Sequence, residues 1–256
     1  MPNPRLVRVI ATGVLTLCTA TVPSSAQSRT GSAGVHSDIS NLRMASISAR
    51  AGQPPRCTLG DTTTDVHGRK GYDVLLDTTL RLPRGWKPPT LESIGGGLRL
   101  QPAAADAWRT LRAKARADGI ALHPISAYRS EDYQRGLFAR NVRKHGRAHA
   151  LKYVARPGHS EHQLGLTLDI GYAPGTAITA EWSSKPRNRN QRAASWLTSR
   201  GWRYGWVRSY QKDKVARTCY ESEPWHWRYV GPAKASALRS EGVTLREFLW
   251  RLQNSG

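Results

Sequence analysis

The sequence predicts one α+β domain over about residues 57–253. Predicted helices and strands are interspersed along the chain without the regular strand–helix–strand rhythm of a doubly wound parallel sheet. No internal repeat divides this stretch, and a domain of about 200 residues is long enough to bury a single sizeable core. We therefore expect one compact core rather than an array of repeats.

The first part of the domain is expected to contain a strand, a loop and a helix. Residues 72–82 alternate apolar and polar side chains well enough for a strand. The prolines and glycines of residues 83–97 indicate a loop. Residues 102–118 are typical of a helix, because Pro102 suits the first turn and Gly119 suits the stop.

The middle of the domain continues this alternation. Residues 120–128 predict a buried strand, and Ser130 can cap a helix that ends near Lys144. Residues 165–170 predict a short strand whose leucines and isoleucine face one way while its threonine and aspartate face the other. A further helix is expected over residues 190–200.

The last part of the domain is expected to add two strands and two helices. The strands are predicted over residues 202–210 and 225–230. Thr244 and Glu247 have the spacing of a capping box, which marks the start of the last helix.

Residues 1–26 have the pattern of a secretory signal peptide. Arg5 and Arg8 form a basic start, and residues 9–22 are mostly apolar but short for a membrane span. Small residues before position 27 predict cleavage after Ala26. An uncleaved membrane anchor is the alternative. With cleavage, we expect a secreted, wall-associated protein with no membrane span.

The two cysteines that follow the predicted cleavage site are expected to pair. Residues 27–56 are rich in Ser, Ala, Gly and Arg, which predicts a flexible linker. Cys57 and Cys219 then form an even pair in an oxidising compartment, where a disulfide is expected. Two free thiols are the alternative.

The formal net charge of +21 bears on partners rather than on fold. Basic residues are scattered, and the sequence lacks zinc-finger spacing, an RNP signature and a compact basic helix, so we do not expect a nucleic-acid partner. Anionic polymers of a cell envelope fit this charge equally well. We expect a monomer.

Two short segments carry side chains suited to a metal ion. His162 and Asp169 lie in the first segment, and Glu223 and His226 lie in the second. Two imidazoles and a carboxylate form a mixed nitrogen and oxygen set that suits Zn²⁺ with one open coordination position. A nearby glutamate that is not a ligand can serve as the base of a zinc hydrolase.

The spacing of these residues requires a bend in the chain. His162 and Asp169 are seven residues apart and cannot share a face of one straight strand. We expect His162 in a turn before the strand, with Gly165 allowing the chain to bend back. Pro224 disfavours helix at Glu223, which predicts a turn there and a strand beginning near His226.

Each of these residues also has an ordinary interpretation. A loop histidine, a carboxylate paired with an arginine and a histidine in an aromatic cluster would need no metal. His159 is a competing ligand candidate. Arg129 could form a surface salt bridge or bind a carboxylate or developing oxyanion. Ser160 and Gln134 could contact substrate, or serve as a cap and a helix-surface residue.

Three motifs in this order resemble the VanY-type D-alanyl-D-alanine carboxypeptidases. They are Ser-Ala-Tyr-Arg-Ser at residues 126–130, Pro-Gly-His-Ser-Glu-His-Gln-Leu-Gly at 157–165, and Glu-Pro-Trp-His-Trp-Arg-Tyr-Val-Gly at 223–231. This family belongs to the LAS group of zinc metallopeptidases, together with the VanX dipeptidases and the metal-binding domain of hedgehog proteins. The resemblance covers about residues 57–252. One departure is Ala127, where the family is expected to have Gly.

The resemblance implies a fold, an activity and residue roles. The fold would be the small hedgehog/DD-peptidase fold, an antiparallel sheet with flanking helices. The substrates would be peptidoglycan stem peptides ending in D-Ala-D-Ala. The implied zinc ligands are His162, Asp169 and His226, with Glu223 as the base and Arg129 as the stabiliser of the tetrahedral intermediate. An endopeptidase and a non-catalytic envelope-binding module remain the alternatives.

Overall fold

The computed structural model describes residues 52–59, 63–66 and 71–254. The predicted signal peptide, residues 1–26, and the predicted linker up to residue 51 lie outside the described residues. Within them, no helix has both the length and the apolar character needed to cross a membrane.

An antiparallel sheet of five strands forms the centre of the domain. Its strands follow the order β5–β6–β9–β8, and β7 also pairs with β6. The strands are β5 (His123–Ser126), β6 (Thr167–Ala173), β7 (Thr176–Ala177), β8 (Trp206–Arg208) and β9 (His226–Tyr229). Two small pairs precede it, a parallel pair of β1 (Thr64–Asp65) with β2 (Leu80–Arg81) and an antiparallel hairpin of β3 (Glu92–Gly95) with β4 (Leu98–Leu100).

Helices flank this sheet, as expected for an α+β fold. They are α1 (Pro102–Ala117), α2 (Glu131–His145), α3 (Arg147–Tyr153), α4 (Arg189–Arg200), α5 (Val215–Thr218), α6 (Pro232–Glu241) and α7 (Leu245–Gln253). Ser130 caps α2 by accepting a hydrogen bond from the Tyr133 backbone. Thr244 and Glu247 form the predicted capping box at α7. The predicted α+β class with an antiparallel sheet and flanking helices is confirmed.

Strands β6 and β9 give the sheet one apolar and one polar face. Leu168 lies opposite Trp227, and Asp169 lies opposite His226. Opposed residues of an antiparallel pair project from the same face, so Asp169 and His226 share a side. Leu168 is fully buried within the main hydrophobic core. The core therefore packs against one face of these strands and fixes the position of Asp169 and His226 on the other face.

The predicted strand over residues 72–82 is wrong for most of its length. Only Leu80–Arg81 forms a strand, and three consecutive side chains, Val74, Leu75 and Leu76, are all buried. The guanidinium of Arg228 donates to the carbonyl oxygens of Tyr72 and Val74. A buried side chain thus satisfies backbone groups that a strand partner would otherwise satisfy.

Two other segments differ from the sequence prediction because glycines make turns inside them. Residues 83–97 were expected to be loop, but Glu92–Gly95 is the first strand of a hairpin and the following glycines form its turn. Residues 202–210 were expected to be a strand, but a 3₁₀ turn (Gly201–Tyr204) precedes β8. Gly205 has φ +80°, and a Cβ there would lie 2.7 Å from the Tyr229 ring. Helices α3 and α5 were not predicted.

Candidate metal centre

A left-handed glycine brings the two predicted ligands of the first segment together. His162 lies in a 3₁₀ turn, Glu161–Leu164, which ends at Gly165 with φ +68°. The Gln101 backbone donates to the Gly165 carbonyl at 2.7 Å and fixes this bend. Strand β6 begins two residues later and carries Asp169 back toward His162, as the spacing argument required.

Strand pairing brings His226 to the same place. Asp169 and His226 are register partners of β6 and β9. One ligand atom from each of His162, Asp169 and His226 lies within 4.8 Å of the others, and all three residues are buried. Asp169 Oδ1 lies 3.3 Å from His162 Nε2 and 3.5 Å from His226 Nδ1.

Each imidazole is held by its other nitrogen. His162 Nδ1 lies 2.6 Å from the Ala127 carbonyl oxygen, and His226 Nε2 lies 2.9 Å from Glu161 Oε2. These acceptors place the ring proton on the outer nitrogen of each histidine. The inner nitrogens, His162 Nε2 and His226 Nδ1, then face Asp169, and holding a ring by its outer nitrogen is the usual way that proteins orient metal-binding histidines.

Two atoms of this group are buried without a hydrogen-bond partner. They are His162 Nε2 and Asp169 Oδ1, which face each other as acceptors. Buried polar atoms are nearly always satisfied in native proteins, so this pair calls for a shared positive charge. A zinc ion suits the donor set of two imidazole nitrogens and one carboxylate oxygen. The residues therefore fit the predicted cofactor.

The surrounding groups act differently on the two imidazoles. Burial opposes a charge on His226, but hydrogen bonds to three carboxylates, those of Asp169, Glu161 and Glu223, raise its pKa well above the usual value. Burial, reinforced by the nearby Arg129 guanidinium, lowers the pKa of His162 to about 4, so its imidazole is neutral, the form that binds metals. Burial opposes ionisation of Asp169, but its contacts with the two imidazoles and the charge of Arg129 hold its pKa well below the usual value.

Glu161 contacts both His226 and the buried guanidinium group of Arg228. One of its carboxylate oxygens accepts from the Ser209 hydroxyl at 2.6 Å as well as contacting His226, and the other lies 3.2 Å from Arg228 Nη1. Arg228 is completely buried. Burial alone would raise the pKa of Glu161, but these partners lower it to about 2. Glu161 is therefore ionised and positions the His226 ring.

Glu223 lies beside the group without belonging to it. Its Oε2 is 3.2 Å from His226 Nδ1, yet the three-residue ligand group does not include it. The His226 backbone N–H donates to the Glu223 carbonyl, so a turn places Glu223 just before β9. Burial raises the pKa of its carboxyl, which suits a group that takes up and returns a proton.

Arg129 is held against the ligand Asp169. Its Nη2 donates to Asp169 Oδ2 at 2.6 Å, and its Nε donates to Ser126 Oγ at 2.9 Å. The side chain is 18% exposed, so this is not a surface salt bridge. Its remaining nitrogen, Nη1, makes no hydrogen bond to the residues that the structure describes.

A cavity of about 220 Å³ opens onto this group. Ser160 and Gln134 both line it, together with the aromatic side chains of Tyr210, Tyr220 and Trp225. Gln134 is buried and donates to the Ala155 carbonyl, which rules out a helix-surface role. Ser160 precedes the 3₁₀ turn but makes no side-chain capping bond.

His159 is not part of the metal group. Its ring is buried, and its Nδ1 lies 2.8 Å from the Asp77 carbonyl oxygen. The ligand group among the described residues contains only His162, Asp169 and His226.

The two cysteines predicted to pair, Cys57 and Cys219, are joined by a disulfide in the structure.

Sequence reasoning did not find Glu161, Ser209 or the aromatic wall of the cavity. Glu161 stands next to a predicted ligand in the second motif, and that adjacency was the available signal. Ser209 and Tyr210 follow an edge strand, and no local pattern links them to residues about 50 positions earlier. Only the pairing of β8 with β9 places them beside the site.

Comparison with known proteins supports the same interpretation. The family model described as VanY, D-alanyl-D-alanine carboxypeptidase, matches residues 97–232, a range that contains every residue of the metal group and of its cavity. The chain belongs to the VanY family. The family resemblance inferred from the three motifs is thereby confirmed.

Two individual relatives are named as carboxypeptidases. The chain is 34% identical to the putative carboxypeptidase YodJ of Bacillus subtilis strain 168, over 60% of this chain and 55% of the relative. It therefore spans little more than half the length of that protein. A bifunctional D-Ala-D-Ala dipeptidase and carboxypeptidase, VanXYC of Enterococcus gallinarum, is 34% identical over 58% of this chain and 76% of the relative.

A solved structure bears on the metal. A vancomycin-resistance D,D-pentapeptidase VanY variant, determined in complex with Zn(II), aligns with a TM-score of 0.60 and 29% identity over 70% of this chain and 98% of its own. That complex and the ligand group of the present chain both support zinc as the cofactor.

Proposed function

We propose that this chain is a secreted zinc carboxypeptidase that removes the terminal D-alanine from peptidoglycan stem peptides ending in D-Ala-D-Ala. The observation that carries the proposal is the buried pair of unsatisfied acceptors, His162 Nε2 and Asp169 Oδ1, with Glu223 beside it at the wall of a cavity. Membership of the VanY family supports the substrate class.

His162, Asp169 and His226 would hold the zinc ion. When bound there, zinc would act as a Lewis acid on the scissile carbonyl and lower the pKa of water toward about 7. Glu161 keeps the His226 ring in the orientation that this requires, through its contact with Nε2.

The chain's own groups carry the proton transfers. Glu223 accepts a proton from the attacking water as the new C–O bond forms at the penultimate D-alanine carbonyl, and then gives a proton to the leaving amine as the C–N bond breaks. Its raised pKa makes it a better base than a solvated carboxylate. Arg129 directs its unused Nη1 toward the developing oxyanion and stabilises its charge.

The cavity selects short peptide ends. Its volume of about 220 Å³ suits a small terminal segment, and Tyr210, Tyr220 and Trp225 provide an apolar wall. Ser160 and Gln134 offer polar groups for the peptide backbone. The predicted signal peptide supports action at the cell wall. The strong positive charge supports anionic envelope polymers as partners there.

The test is mass spectrometry of a stem pentapeptide incubated with the full chain and zinc. The proposal predicts loss of one alanine and no internal cleavage. Cross-linked muropeptide dimers in a parallel reaction distinguish an endopeptidase, which would separate them. Glu223→Gln should abolish release while zinc stays bound. Zinc binding without alanine release from any stem peptide would indicate a non-catalytic module instead.

A further inference from the structure

A second cavity lies on the apolar side of the sheet, away from the metal group. It has a volume of about 330 Å³ and is lined by Trp182, Trp202, Trp206 and Trp227. Trp206 and Trp227 lie on the strands β8 and β9, and Trp227 projects from the face opposite to His226 because the two are adjacent in one strand. This cavity is larger than the one at the metal group.

One of these tryptophans, Trp182, presents an exposed ring to a ligand. Trp206 and Trp227 are buried and form the base, whereas Trp182 is 56% exposed and Trp202 is half-buried. Large exposed aromatic side chains around a concave surface are typical of binding sites. Their flat apolar faces match the apolar C–H face of a sugar ring.

Two residues that line the cavity also carry buried polar atoms without a hydrogen-bond partner. Trp206 Nε1 is a buried donor without a partner, and Gln211 Oε1 is a buried acceptor without a partner. Both residues line the cavity. A hydroxyl group can accept from the first and donate to the second, so a ligand rich in hydroxyls would satisfy both.

The rim of the cavity is positively charged. Arg239 lies over the Trp202 ring at 5.2 Å, and Arg203 lies over it at 4.4 Å. Lys214 and Arg239 line the cavity, whereas Arg203 adjoins it through its contact with Trp202. None of these three cations forms an ion pair with a carboxylate of the described residues. A ligand with negative charge would complement them.

The one acidic side chain in the lining is already neutralised. Glu181 lies between Arg208, whose Nη1 is 2.6 Å from its Oε2, and the Ser222 hydroxyl, which donates to its Oε1 at 2.9 Å. The net charge of the lining is therefore positive. Trp182 is also followed by exposed basic residues, Lys185, Arg187 and Arg189, which extend the positive surface.

We propose that this cavity binds a sugar residue of an anionic polysaccharide. The exposed Trp182 face contacts the ring, hydroxyl groups of the sugar pair with Trp206 Nε1 and with Gln211 Oε1, and Lys214 and Arg239 bind the negative charges along the polymer. Nothing in this inference depends on the proposed peptidase activity. Sugar binding at this cavity would hold the enzyme on a glycan surface, while the metal group on the opposite side of the sheet would act on peptide ends.

Titration calorimetry with defined probes tests the proposal on the full chain. A hyaluronan hexasaccharide provides rings, hydroxyls and carboxylates, and chitohexaose provides rings and hydroxyls without charge. Poly-L-glutamate and an eight-nucleotide oligothymidylate provide charge without a sugar hydroxyl array. We expect the hexasaccharide to bind most tightly, with an affinity that falls as salt rises.

Variants assign that binding to the cavity. Trp182→Ala should weaken hexasaccharide binding at least tenfold, and the pair Lys214→Gln with Arg239→Gln should weaken it similarly while leaving chitohexaose binding unchanged. Tyr133→Ala removes an aromatic side chain that is 57% exposed elsewhere and should change the dissociation constant by less than about twofold. Alanine release by Trp182→Ala should equal that of the wild type.

Three results would overturn the proposal. One is the absence of saturable binding of either sugar. Another is hexasaccharide binding that Trp182→Ala leaves intact. The third is tighter binding of oligothymidylate or poly-L-glutamate than of the hexasaccharide, with the same loss on Trp182→Ala, which would make the cavity a nucleic-acid or acidic-peptide site. A failure of alanine release by the wild-type enzyme concerns only the peptidase.

Discussion

Replacing Glu161 by Gln tests how a carboxylate outside the ligand group controls the metal centre. Glu161 contacts His226 Nε2 at 2.9 Å, Arg228 Nη1 at 3.2 Å and Ser209 Oγ at 2.6 Å, and three donors therefore converge on one ionised group. A glutamine keeps the shape, but its amide nitrogen cannot accept a hydrogen bond and its charge is zero. At least one donor loses its acceptor.

The structure sets the size of two separate effects. Loss of a carboxylate that orients a metal-binding histidine typically lowers metal affinity about 10- to 100-fold, which is roughly 1.4–2.7 kcal/mol. Arg228, which is fully buried, also loses its only carboxylate ion-pair partner among the residues that the structure describes. Breaking a buried ion pair costs about 3–5 kcal/mol. We expect the lower end, since the carbonyls of Tyr72 and Val74 still accept from Arg228.

Two measurements separate these effects. Zinc affinity is measured by competition with a chelator of known affinity, and the stability of the metal-free protein is measured by urea unfolding. Glu247→Gln is the matched control, because it makes the same chemical change in the capping box of α7. It should lower stability without changing zinc affinity. If folded Glu161→Gln bound zinc as tightly as the wild type, the proposed positioning role would be refuted.

Three further predictions concern the rest of the domain. Replacing Cys57 and Cys219 by Ser removes a link across 162 residues, which should lower the free energy of unfolding by about 4–5 kcal/mol in urea titrations; equal stabilities would contradict this. Leu168→Ala, in the core behind Asp169, should cost about 2–5 kcal/mol and lower the melting temperature, whereas an unchanged melting temperature would place this face outside the core. Arg217 and the Thr244 backbone hold the pKa of Glu247 at about 2 against burial. The ionised Glu247 carboxylate should therefore contribute its full stabilisation above about pH 5 and lose it as the pH falls from about 4.5 to 2. The difference in unfolding free energy between wild type and Glu247→Gln should vanish at about pH 2.

Much of the metal centre could be predicted because its chemistry is local in sequence. The odd spacing between His162 and Asp169 required a bend, and Gly165 supplied it with a left-handed backbone. Pro224 marked the turn before His226. These inferences depended on single residues with strong conformational preferences.

The second layer of the site could not be predicted in this way. Glu161 reaches Ser209 and Arg228 only because the sheet brings together strands that are distant in sequence. The segment at residues 72–82 was misassigned for a related reason. Its carbonyls at Tyr72 and Val74 bind Arg228, so tertiary contacts replace the strand that local alternation suggested.

The central claim is that two distant segments hold one zinc ion with an unligated acid beside it. The most direct test is the zinc content of the purified full chain by elemental mass spectrometry, for the wild type, His162→Ala, Asp169→Asn and Glu223→Gln. We expect one zinc per chain in the wild type and in Glu223→Gln, and loss of zinc in the other two. A wild-type protein without zinc, or a Glu223→Gln protein that loses it, would contradict the account.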